Sequence, residues 1–177
     1  MKELILSAYL IALGAAGFAQ GFIELENINN TSPSPTATTR GLFFLDTGSG
    51  PVLISQDFNA AFYGGSDSAN LVLIKSFFGT ATTNDNAFGP GTFIDPTGNS
   101  YQIAGATNEA FFRIEAWVGS ATSYAVALGT QPAGASGVFR NPVAGPPLTP
   151  PDLSQMPAII IGVPAAPLWP SLWRIGV

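Results

Sequence analysis

The sequence predicts an all-β protein, an antiparallel β-sandwich of immunoglobulin-like or jelly-roll-like type, on three observations. Short runs alternate apolar and polar residues with a period of two. Turn-forming clusters separate the runs, in a chain of 177 residues with 20 Gly and 15 Pro. No apolar stripe of helical period extends over a convincing length. The length suits one domain rather than two. Charged residues make up only 10% of the chain, so charge-driven disorder is not expected.

Taken in order, residues 1–19 read as a cleavable export signal. Lys2 gives the positive start, Leu4 to Phe18 is almost wholly apolar, and Gly17 and Ala19 are the small residues before a cut at Gln20. About fifteen apolar residues are short for a membrane span. The β domain is expected over 20–141, with strands at Gly21 to Ile28, Gly41 to Leu45, Val52 to Ser55, Phe58 to Tyr63, Leu71 to Ser76, Thr92 to Ile94, Tyr101 to Ile103, Ala110 to Val118, Tyr124 to Leu128 and Gly137 to Arg140. Helix competes only at Ala121 to Leu128. The clearest strand runs from Phe111 to Val118. Its alternation sends Phe112, Ile114, Ala116 and Val118 to the core and leaves Phe111, Arg113, Glu115 and Trp117 on a wet or capped face. Nine of the fifteen prolines fall between Pro142 and Pro170, so 142–157 reads as a Pro-rich linker. A possible last strand at 158–163 returns to an open sheet edge, and 164–177 is an apolar tail with Pro and Trp.

The composition excludes several function classes. With no Cys and no His, zinc sites built on those ligands, iron-sulfur clusters, haem held by His or Cys, and Ser-His-Asp or Cys-His catalysis all lack an essential group. No cofactor and no metal are expected. Six basic against eleven acidic residues give a net charge of −5, and the basic residues are widely scattered, so no nucleic-acid footprint is expected. The mature chain is expected to have no stable transmembrane segment, because the tail is short and broken by proline.

Four segments carry a family resemblance. Gly21-Phe22-Ile23-Glu24-Leu25-Glu26-Asn27, Phe58-Asn59-Ala60-Ala61-Phe62-Tyr63-Gly64-Gly65, Phe112-Arg113-Ile114-Glu115-Ala116-Trp117 and Gly134-Ala135-Ser136-Gly137-Val138-Phe139 follow one another in that order. Over about residues 21–163 the chain resembles a secreted, β-rich module of unassigned activity in Verrucomicrobia-like bacteria, whose members often end in a PEP-CTERM-type sorting tail. The resemblance implies a β-rich exported protein and supplies no catalytic residue. Val163-Pro164-Ala165-Ala166-Pro167 is similar to the start of such a tail, but the acidic residue between the prolines, the uninterrupted apolar helix and the closing Arg cluster are missing.

The expected role is therefore structural, adhesive or weakly ligand-binding, at the cell envelope or outside the cell. Cell-surface or matrix components, glycans among them, are the partners in view. One enzymatic alternative exists. Phe44-Leu45-Asp46-Thr47-Gly48-Ser49-Gly50 resembles the signature of aspartic proteases, with Asp46 as the catalytic carboxylate. A single copy would need a homodimer, so that two carboxylates share a proton. Ile160-Ile161-Gly162 is similar to a later element of those enzymes. The simpler account is a hairpin turn, whose geometry alone asks for Asp and Gly. A second alternative is a carbohydrate-binding module, with Tyr63, Tyr101, Trp117 and Tyr124 as stacking residues. Asn84-Asp85-Asn86 and Asp95-Pro96-Thr97-Gly98-Asn99 carry oxygen ligands of the kind Ca²⁺ takes, without EF-hand spacing. Glu24 and Glu26 read as a solvated edge rather than part of a glycosidase pair.

Overall fold

Alternation dictates the central element. In the computed structural model, which describes residues 20–79 and 88–163, Phe112, Ile114 and Ala116 are buried on one face of a nine-residue strand while Arg113 and Glu115 stand on the other. Ten strands and one short helix are described: β1 (Gly21–Glu24), β2 (Phe43–Asp46), β3 (Pro51–Leu53), β4 (Asn59–Gly65), β5 (Val72–Phe77), β6 (Ser100–Ile103), β7 (Glu109–Trp117), α1 (Tyr124–Ala127), β8 (Ala133–Ala135), β9 (Phe139–Pro142) and β10 (Ile159–Gly162). The all-β expectation holds. The expected export signal at 1–19, Asn84-Asp85-Asn86 and the apolar tail at 164–177 lie outside the described residues.

Eight strands form one sheet in the order β3-β2-β10-β8-β7-β4-β5, with β9 also pairing β7, and β1 and β6 form a two-stranded antiparallel ribbon. Ribbon and sheet share one core. Ile23 and Ile103 from the ribbon meet Phe43, Phe62, Ile114, Ile159 and Ile161 from the sheet. Phe62, Phe77 and Phe93 stack with centroid separations of 4.9–5.7 Å, the tilted and edge-on range that aromatic pairs favour.

Four expectations are corrected. The first concerns β10, which makes the sheet mixed rather than antiparallel because it runs parallel to β2, with Ile161 opposite Leu45 and Gly162 opposite Asp46. Far from lying at an open edge, β10 sits between β2 and β8. It enters there because β8 is small: a Cβ on Gly134 would stand 1.9 Å from the Ile160 carbonyl oxygen. Tyr124 to Leu128, expected as a strand, forms α1 instead. The Ser123 side chain accepts from Val126 N at the helix start, and Gly129, with φ +81°, follows its end.

The third correction concerns Thr92 to Ile94, which forms no ladder although Phe93 is fully buried. Asn27 stands in for a neighbouring strand, its backbone N donating to Phe93 O (3.1 Å) and its Oδ1 accepting from Phe93 N. The fourth concerns the Pro-rich stretch 142–157, which is part of the folded core rather than a linker. Val143, Leu153 and Met156 are buried in the main cluster. The segment also lines the free side of β1, where Phe22 and Ala144 exchange backbone bonds, Glu24 N donates to Pro151 O, and Leu153 N donates to Glu26 O. Proline removes donors but leaves carbonyls to accept, so a proline-rich segment can satisfy an exposed strand without forming a regular ladder.

Candidate functional site

The outer face of the large sheet carries the convergence of charge, aromatic ring and concavity. Register places Tyr63 of β4 directly opposite Arg113 of β7 on this face, with Glu115 two residues further along. The Arg113 guanidinium lies 3.0 Å from the Glu115 carboxylate, with side-chain exposures of 44% and 13%. Burial raises the Tyr63 phenol above its usual value, as do the Glu115 charge and a hydrogen bond to Glu115, against a smaller opposing effect of Arg113. Tyr63 therefore stays a neutral donor beside the carboxylate at and above physiological pH.

These three side chains line an open hollow of about 320 Å³, completed by Ser68, Ala69, Leu71 and Val138. Its shape comes from two irregularities in the sheet. The β4–β5 register shifts between Phe62 and Tyr63. On the other side of β7, β8 ends opposite Glu115 and β9 begins opposite Phe112, so residues 136–138 span the two positions 113–114. Ser136 fills the break, its N donating to Ile114 O and its Oγ accepting from Ile114 N, both at 2.9 Å. Val138 is left facing solvent. Extra residues of this kind re-aim side chains and bend the strand that carries them. The loop after β4 is fixed over the hollow's rim by Asp67, whose carboxylate accepts from Ala69 N and Asn70 Nδ2 and is held below its ordinary value by those bonds.

The four expected stacking aromatics are not one platform. Trp117 is 1% exposed, donates from Nε1 to Ala121 O at 2.8 Å and packs with Ala61 and Ala127, so its ring is a structural part. Half-buried Tyr124 packs on the same small cluster from α1. Tyr101 lies on the ribbon, its hydroxyl donating to Asp95 Oδ2 at 2.7 Å. Tyr63 alone of the four opens into the outer hollow. Alternation along β7 puts Arg113 and Glu115 on the outer face, and the cross-strand register, which no local pattern encodes, sets Tyr63 beside them.

Asp46 occupies the β2–β3 hairpin, paired with Pro51, and its Oδ1 accepts from Gly48 N at 2.9 Å. That bond is the local turn that Asp and Gly favour. The later apolar element does come alongside, since Gly162 is the parallel partner of Asp46. Glu24, Glu26 and Asp95 line a small recess on the ribbon side. Burial, foremost, and then the charges of Glu24, Asp152 and Asp95 raise the Glu26 carboxyl above its ordinary value of 4.5. Both Asp95 oxygens are engaged, by Thr97 and Tyr101.

No family model, curated protein or solved structure matches this chain. Among the described residues, no helix is long and apolar enough to cross a membrane.

Proposed function

We propose that this is an exported, non-enzymatic protein of β-sandwich type, with the eight-stranded sheet and the β1–β6 ribbon as its layers, acting in adhesion or weak ligand binding outside the cell or at the envelope. The observation that supports this reading is the contrast between the two faces of the large sheet. One face is consumed by the core, whereas the other gathers Tyr63, Arg113 and Glu115 around an open hollow. In that hollow Glu115 is already paired with Arg113, an arrangement suited to holding a ligand rather than to moving protons. The export-type pattern at 1–19 and the resemblance to secreted modules of Verrucomicrobia-like bacteria support the location. Expression with the native N-terminus in a diderm bacterium, followed by fractionation and N-terminal sequencing, tests it. The expected product lies outside the cytoplasm and begins at Gln20. A cytoplasmic product that retains Met1 overturns the reading.

One observation favours a second reading, a homodimeric aspartic protease, namely the parallel pairing that sets Gly162 against Asp46. Under the first reading Asp46→Asn keeps the turn acceptor and changes stability by less than about 0.5 kcal/mol, with no catalytic consequence. Under the second it abolishes cleavage of an unfolded substrate at acid pH. Cleavage by the unsubstituted protein at pH 4 that disappears in Asp46→Asn would establish the protease.

A further inference from the structure

We infer that the hollow formed by Tyr63, Arg113 and Glu115 binds a neutral saccharide. This assignment rests on the surface-binding reading above and names its ligand class.

Charge comes first. Arg113 and Glu115 cancel, so the floor of the hollow has no net charge to attract an ion. What the pair presents is donors and acceptors side by side, the two groups meeting at 3.0 Å. The guanidinium has five N–H donors and the carboxylate about four lone-pair positions, more than the bonds within the pair use up. Two adjacent hydroxyls on a sugar ring, one accepting and one donating, match that juxtaposition. An isolated anion or cation matches only half of it.

The walls supply the other half of the recognition. Leu71, Ala69 and Val138 give apolar surface beside the Tyr63 ring, and the C–H face of a pyranose is the complement of such a wall. Position within the sheet provides a separate argument. The register irregularities on the two sides of the β4–β7 pair both fall at the Tyr63–Arg113 row, and bulges concentrate beside binding and active sites. The floor is also rigid. Tyr63 and Arg113 project from the two longest strands of the sheet, so little order is lost when a ligand settles. The hollow is open and shallow, which predicts weak binding, with a Kd of about 0.1–1 mM per site.

Affinity electrophoresis of the described domain, carried on the full mature chain, through gels containing β-glucan, α-glucan, mannan, galactan or xylan tests the assignment. Polygalacturonate and gelatin serve as the acidic and peptide controls. At least one neutral glycan is expected to retard the protein. Arg113→Ala and Tyr63→Ala should each weaken retardation by about tenfold or more at a temperature where a cooperative thermal transition shows both variants still folded, the control that Tyr63's packing on the Trp117 cluster and the Arg113–Glu115 pair require. Glu115→Gln keeps the shape and the acceptor oxygen but removes the charge, and should weaken it less. The assignment is overturned if no neutral glycan retards the protein, if only polygalacturonate or gelatin does, or if the Arg113 and Tyr63 variants are retarded like the parent. An exported protein that ignores every neutral glycan loses this ligand and keeps the broader reading. A glycan-binding protein retained in the cytoplasm does the reverse.

Discussion

The inner face of the β4–β7 pair and the facing side of the layer that covers it are both buried, and they are held in different ways. Between β4 and β7, seven consecutive residue pairs run in unbroken antiparallel register, with apolar side chains on the inner face. The covering layer, drawn from 20–42, 89–108 and 142–158, has one four-residue ribbon and otherwise irregular chain. There the backbone groups that would form a ladder are met by asparagine side chains. Asn27 Nδ2 donates to Gly91 O (3.3 Å) and lies 3.5 Å from Gly41 O, while its Oδ1 accepts from Phe93 N. Asn30 Nδ2 donates to Gly41 O at 2.9 Å and Leu153 O at 3.3 Å. Asn141 joins Asp152 O and Gln155 N. In a chain without cysteine, buried amides hold three distant segments together where a small secreted domain often uses disulfides. An irregular layer can therefore close over a core as a sheet does, provided that side chains take over the role of neighbouring strands.

The largest expected effect comes from the ladder. Phe62→Ala removes a ring that contacts both Phe77 and Phe93, and should cost about 3–5 kcal/mol of global stability in urea unfolding, with both layers lost together. Asn27→Ala should cost about 2–4 kcal/mol, because it strands Phe93 N and weakens the satisfaction of the Gly91 carbonyl in a site with no water access. Hydrogen exchange makes the comparison sharper. In Asn27→Ala the amides of 91–93 should lose protection while those of 111–116 retain most of theirs. Equal loss in both sets would break the distinction between the two regions.

The smallest effect concerns charge at the rim of the covering layer. Because the folded-state pKa of Glu26 is raised, ionisation opposes folding there. Any stabilising effect of the neutral form is fully present below the unfolded value and is lost as pH rises through the folded value. Glu26→Gln should therefore stabilise the protein at pH 7, by less than about 1 kcal/mol for a half-exposed group, and the advantage should vanish below about pH 4. Thermal midpoints of the two proteins across that range give the readout. A larger advantage for the variant at pH 3 than at pH 7 contradicts the assigned direction.

Much of this was legible in residues. Phe112, Ile114 and Ala116 announce the inner face of β7, and Ile23 and Leu25 the inward side of β1 and its extension. Asn27 continues that same period of two, so a polar residue stood at a core position, and buried polar groups require partners. The signal existed, but the partners did not show in the sequence, since Gly41, Gly91 and Phe93 lie up to 66 residues away. The candidate site was half legible for the same reason. Arg113 and Glu115 were on the exposed face by alternation, and only the pairing of β4 with β7 brought Tyr63 to them.

The order of residues alone was enough to specify the all-β class, the inner faces of the long strands and the chemistries for which no residue is present. Those are local properties, set by side-chain period, turn residues and composition. Only folding brings β10 in parallel beside β2, puts Val143, Leu153 and Met156 of the Pro-rich segment into the core, seals Trp117 and leaves Tyr63 open. Each of these depends on which distant backbone groups remained unsatisfied and which small residues allowed a close approach, and neither condition is met until the chain has folded on itself.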